Sequence, residues 1–171
     1  MILCPYCDHE VIEGADECDE CGQPLTDLHL PLPASEVELS LLTDRLYSYT
    51  SKRPMVISPT MPVREVLRLL VDNRIGCLLV VEQGKLVGIF TERDVLMKLN
   101  DRAAELGDRP VSQFMTETVQ SLPATAKIAF ALHRMDLGGY RHVPIVDDEG
   151  RPIGIFSVRD MLNYLTRKMA G

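Results

Sequence analysis

The strongest constraint on this chain is that it carries one apolar pattern twice. Val63, Val66, Leu67 and Leu70 form an i, i+3, i+4, i+7 stripe, and Ile128, Ala131, Leu132 and Met135 repeat it 65 positions later. Farther on, Val95, Leu96 and Leu99 match Met161, Leu162 and Leu165 at an offset of 66. The added residue falls where Glu82-Gln83-Gly84 becomes Asp147-Asp148-Glu149-Gly150, a turn lengthened by one, which a loop tip tolerates. Such stripes mark one face of a helix. Each copy then reads as a short strand (near 55–57 and 119–121), an amphipathic helix (about 62–73 and 126–137), a hairpin (77–82 with 86–90, and 142–147 with 152–156) and a closing helix (about 92–100 and 158–169). Neither copy can bury its apolar face alone, so an α+β fold of two β-α-β-β-α units packed face to face is expected.

Both hairpins end in nearly the same seven residues, Gly88-Ile89-Phe90-Thr91-Glu92-Arg93-Asp94 and Gly154-Ile155-Phe156-Ser157-Val158-Arg159-Asp160. Thr91 and Ser157 sit where a strand becomes a helix, a point with unpartnered N–H groups and a positive dipole end that favours anions. Their hydroxyls suit a phosphate or a sugar. Arg93 and Arg159 offer a planar, permanently charged fork for phosphate. Asp94 and Asp160 are acceptors suited to the two hydroxyls of a ribose. Gly88 and Gly154 permit close approach of backbone or ligand. The same Thr-x-x-Asp and Ser-x-x-Asp spacing is also a helix capping box, which needs no ligand.

These paired motifs, with Phe114-Met115-Thr116 before the second copy and Arg141-His142-Val143-Pro144-Ile145-Val146-Asp147 within it, resemble the CBS domain family in its tandem form, the Bateman module. The resemblance covers about 54–168 and implies two CBS repeats related by a pseudo-two-fold axis. It also implies clefts for adenine nucleotides (AMP, ADP, ATP) or S-adenosylmethionine, with Ile57 and Val119 joining the residues already named. It further implies a homodimer formed through the helices. The copies differ where the first has Gly76, Cys77 and Leu79 and the second has Arg141, His142 and Pro144. Unequal affinities are therefore expected. Cys77 reads as a small buried apolar residue.

The head of the chain is of another kind. Cys4-Pro5-Tyr6-Cys7 and Cys18-Asp19-Glu20-Cys21 are two C-x2-C knuckles ten residues apart. Four thiolates at this spacing suit one tetrahedral metal. The segment resembles the zinc-ribbon family, with Asp8 and Asp19 replacing a usual Gly and Pro. Zinc is expected and iron is the chemical alternative, since four-cysteine sites accept both. Disulfides are the other alternative, disfavoured in a cytosolic protein. A fully thiolate site is closed, hence structural, and a segment this short depends on its metal to fold.

Charge is uneven along the chain. Residues 1–44 hold eleven Asp or Glu and no Lys or Arg, whereas the remainder holds 18 basic against 14 acidic residues, within a net charge of −7. The acidic head is a poor match for nucleic acid, while the mildly basic remainder accepts a small anion. With no targeting signal and no apolar run of ~18 residues, a soluble cytoplasmic protein without a membrane span is expected. No nucleophile-base set, open metal site or phosphate loop is present, so catalysis is not expected. The expected organisation is a ribbon at 1–24, a linker and helix at 25–50, repeats at 51–100 and 119–171, and a connection at 101–118. The function this supports is a regulator signalling to a protein partner in trans. An iron-loaded ribbon on a CBS scaffold, or a nucleic-acid-binding ribbon, are the alternatives.

Overall fold

The computed structural model describes residues 2–4, 6, 7, 9–12, 14–25, 35–49 and 53–170. The proline-rich linker expected around Pro31 and Pro33 lies outside the described residues. Among the described residues there are three small sheets. β1 (Ile2–Leu3) and β2 (Glu10–Val11) pair antiparallel at the head. In the first copy, β3 (Val56–Ile57) lies parallel to β4 (Cys77–Glu82), which pairs antiparallel with β5 (Lys85–Thr91). The second copy repeats that order with β6 (Leu122–Pro123), β7 (His142–Val146) and β8 (Pro152–Ser157).

The helices follow the apolar stripes. α2 (Val63–Asn73) buries Val63, Val66 and Leu70, and α5 (Ile128–Gly138) buries Ile128 and Ala131. α6 (Val158–Met169) closes the second copy as one uninterrupted helix. The closing helix of the first copy is broken instead. α3 (Glu92–Asp94) passes into a widened π turn at Val95–Leu99, then a tight turn at Asn100–Arg102 and α4 (Ala103–Leu106). Asn100 leaves helical geometry altogether, with φ of 48°.

The molecule divides into two compact units that do not follow the copies. One comprises residues 1–51, 122–143 and 156–171, the other residues 52–121 and 144–155. In the second of these, the apolar run of β4 is explained by burial on both faces. Leu78 and Val80 join α2 residues and Phe90, while Cys77, Leu79 and Ile89 face a separate cluster with Val119 and Ile155. The segment before the second copy is built into this unit. Val63 N–H donates to Arg109 O, Arg64 N–H to Gly107 O and Val111 N–H to Met61 O, and Val111 is fully buried.

The other unit shows the matching arrangement. α1 (Glu36–Thr43), capped by Ser35, packs on α5 and α6. It ends seven residues before the expected 50, because Asp44 turns its backbone carbonyl to the Ile128 N–H and Leu46 inserts into the core. Asp44 then becomes a hub. One carboxylate oxygen accepts from Tyr49 at 3.1 Å, Tyr164 at 3.1 Å and Lys168 at 2.8 Å. Burial pushes its carboxyl upward, but the Lys168 and tyrosine hydrogen bonds outweigh this and hold it below the usual range. The first strand of the second copy lies at 122–123 and not at 119–121, because Val119 is used as packing against Cys77, Leu79 and Ile89.

Candidate functional site

The end of β5 and the start of α3 form the first candidate site. Thr91 is extended (φ −127°, ψ 164°) and caps α3. Its hydroxyl oxygen accepts from the Asp94 N–H, while one Asp94 carboxylate oxygen, Oδ2, accepts from the Thr91 N–H at 2.9 Å and the Thr91 hydroxyl at 2.7 Å. Glu92 N–H donates to Gly76 O, so several of the terminal donors are already used. The other oxygen, Oδ1, accepts from the Thr116 hydroxyl at 3.0 Å and holds the Lys98 ammonium at 2.7 Å. Asp94 is 6% exposed. Arg93 is exposed and without a partner among the described residues.

Thr116 is fixed by the chain itself, since it exchanges two backbone hydrogen bonds with Ile89 on the edge of β5. A Cβ at Gly88 would overlap the Met115 thioether, the end of a flexible side chain that would have to turn aside. The small size of Gly88 thus serves packing of the 114–116 segment. Ile57 and Val119 lie in the two apolar clusters of this unit, and Pro144 and Gly154 are buried within β7 and β8. Cys77 is buried, and burial followed by the charge of Glu92 raises its thiol to about 12, so it remains an unreactive apolar residue. A shallow depression lined by Arg64, Leu67, Arg68, Ala103, Ala104 and Gly107 includes none of the expected site residues.

The second candidate site joins the end of β8 to α6. Ser157 caps α6 through the Asp160 N–H, and Asp160 Oδ2 accepts from the Ser157 N–H at 2.8 Å and hydroxyl at 2.6 Å. Val158 N–H donates to Arg141 O, the counterpart of the Glu92–Gly76 bond. Here the likeness ends. Asp160 is half-exposed, and its Oδ1 has no partner among the described residues. Tyr164, 66 positions on from Lys98, turns its hydroxyl to Asp44. Arg141 and Arg159 are exposed, His142 is half-buried and Val143 is fully buried. Lys98 lies outside the motif that singles out the two carboxylates, although an Asp-to-Lys spacing of four on a helix is a readable signal.

The head brings Cys4, Cys7, Cys18 and Cys21 together. Their sulfurs all lie within 4.8 Å of one another, with Cys4–Cys21 and Cys7–Cys18 both at 3.7 Å. No disulfide joins them. Four sulfurs each about 2.3 Å from a tetrahedral zinc are themselves about 3.8 Å apart, so the donor set fits such an ion. Backbone N–H groups of Cys21 and Glu20 lower the Cys18 thiol to about 7, and burial raises Cys21. Cys4 and Cys18 are buried with Val11 and Leu25. Tyr6, inside the first knuckle, meets Phe130 of α5 edge-on at 5.3 Å between ring centres. His9 faces Asp19 at 3.5 Å and stands outside the four-sulfur cluster.

Among the described residues, no helix is long and apolar enough to cross a membrane. A protein-family model for the CBS domain matches twice, at residues 46–101 and 111–167. An uncharacterised 17.7 kDa protein of Acidianus ambivalens is 32% identical over 64% of this chain and 66% of its own length. The inosine-5'-monophosphate dehydrogenase of Methanocaldococcus jannaschii is 36% identical over 65% of this chain, which spans 21% of that enzyme. Among solved structures, the CBS domain pair of protein MJ0100, in complex with 5'-methylthioadenosine and S-adenosyl-L-methionine, superposes with a TM-score of 0.65. It is 25% identical and covers 73% of this chain and 98% of that pair. The two family matches coincide with the two copies and their capped Asp94 and Asp160, and the chain belongs to the CBS domain family as a tandem pair.

Proposed function

We propose that this chain is a non-catalytic sensor that binds an adenosine-containing ligand, an adenine nucleotide or S-adenosylmethionine, and reports its binding to a protein partner in trans. The observation that carries the reading is Asp160, whose Oδ2 is used by the α6 cap while Oδ1 stays open for a ribose hydroxyl. Ser157 and Arg159 flank it on the same helix start, and Arg141, His142 and Val143 belong to the same unit. The exposed guanidinium groups of Arg141 and Arg159 suit phosphate. The ligands of the MJ0100 pair both contain adenosine, which supports the class of ligand without fixing which member binds here.

The four-sulfur cluster is proposed as a closed structural zinc site held by Cys4, Cys7, Cys18 and Cys21 within a ribbon at 1–24. Zinc would supply no chemistry there beyond cross-linking the two knuckles, since all four positions are protein sulfur. The repeats are proposed at 51–100 and 119–171, in a cytoplasmic homodimer formed through the repeat helices. A thermal-shift panel of AMP, ADP, ATP, S-adenosylmethionine and NAD tests the sensor reading. At least one adenosine ligand should raise the melting temperature, and no response to any of them would overturn it.

A further inference from the structure

We infer that Lys98 is a built-in occupant of the first copy's carboxylate, so that the chain takes one adenosine ligand, through Asp160, and not two. This rests on the sensor reading and specifies its stoichiometry. Both carboxylates use Oδ2 for the helix cap. The difference lies at Oδ1, the oxygen left for a ribose hydroxyl. On Asp160 it is open, whereas on Asp94 it carries Thr116 and Lys98. The ammonium is itself held, because it also donates to Phe114 O at 2.8 Å and Met115 O at 3.0 Å and approaches the Thr116 hydroxyl at 3.4 Å. Its three donors are therefore engaged, and the segment that engages them is pinned to β5 through Thr116 and Ile89.

A ribose diol entering at Asp94 must displace a cation from a 6%-exposed carboxylate and strand that cation's other bonds. Among the described residues, no cation or hydroxyl holds Asp160 Oδ1. Tyr164, which stands where Lys98 stands in the other copy, is neutral and committed to Asp44. The π turn at Val95–Leu99 belongs to the same device, since Lys98 reaches Asp94 and residues 114–116 from within it. Such single-turn widenings recur where a helix must present a particular side chain.

The test is calorimetric titration of the full chain with AMP and with S-adenosylmethionine, for the wild type, Lys98→Met, Lys98→Gln and Asp160→Ala. The expected stoichiometry is one ligand per chain for the wild type and two for Lys98→Met. Asp160→Ala alone should take none, and Asp160→Ala combined with Lys98→Met should take one. Lys98→Gln removes the charge and keeps a polar end on a side chain one atom shorter, so it serves if the Met variant melts below the assay temperature. A wild type that takes two ligands overturns the inference and leaves the sensor reading standing. So does a Lys98 variant that stays at one ligand, or one that loses binding because Lys98 serves as a phosphate contact. No binding by any form overturns the sensor reading itself.

Discussion

Replacing Asp160 with Ala separates two roles that the sequence motif alone leaves entangled. The carboxylate accepts from the Ser157 N–H at 2.8 Å and the Ser157 hydroxyl at 2.6 Å, so its loss opens the start of α6 whether or not a ligand is present. Loss of a capping interaction costs about 0.5–2 kcal/mol. For a chain of this size each kcal/mol corresponds to about 2–4 °C. The ligand-free melting temperature should therefore fall by about 1–8 °C. In the wild type, ligand at about 100 times Kd adds about 2.7 kcal/mol, or about 5–10 °C. Asp160→Ala should lose most of that ligand-induced rise. Ser157→Ala breaks the same cap from the other side but keeps the carboxylate, so it should lower the ligand-free value and retain the larger part of the rise. Scanning calorimetry with and without ligand reads both quantities. An Asp160→Ala protein that melts lower yet still gains the full rise would show that the carboxylate is a cap and nothing more.

Metal removal should act on the head first. Structural zinc contributes about 10–16 kcal/mol to small thiolate domains, so a chelator or Cys18→Ser should leave residues 1–25 open to protease, and a head that stays resistant without metal would refute the zinc assignment. Lys168→Met should destabilise the protein by about 0.5–1 kcal/mol at neutral pH, because the Lys168–Asp44 pair is partly exposed. Asp44 titrates below its unfolded value of about 3.9, so the stability it confers is full above about pH 4 and is lost as pH falls through its folded value. The difference between wild type and Lys168→Met, measured by urea titration, should narrow below about pH 4; a constant difference would contradict the Asp44 assignment. Gly88→Ala should cost no more than about 1 kcal/mol, because the overlapping Met115 sulfur and methyl end a flexible side chain that can turn aside, and the Gly88→Ala, Met115→Ala pair should be less damaged than the sum of the single variants. Strict additivity would mean that Gly88 has some other purpose.

The parts of this fold that are written locally could be read locally. The stripes of α2 and α5, the apolar run Cys77–Val81 and the two capping boxes each follow from spacing within one element. What escaped the sequence depends on partners far along the chain. α1 stops at Thr43 because Asp44 answers to Ile128, Tyr164 and Lys168. The connection at 101–118 is structured because Gly107, Arg109 and Val111 bond to residues 61–64. The candidate site shows the same division. Asp94 and Asp160 look alike in sequence, and both caps form as the motif requires. Their difference comes from Thr116, brought alongside by the pairing with Ile89, and from the π turn that carries Lys98. The four cysteines were legible because the two knuckle spacings already determine which atoms can converge.

The sensor function rests on ligand binding at the start of α6 through Asp160. Backbone amide chemical shifts followed during titration with S-adenosylmethionine or AMP test it most directly. The largest changes are expected at Ser157, Val158, Arg159 and Asp160, with changes at Arg141, His142 and Val143, while Thr91–Asp94 move little. Saturation that leaves Ser157–Asp160 unmoved, or that shifts Thr91–Asp94 instead, would contradict it.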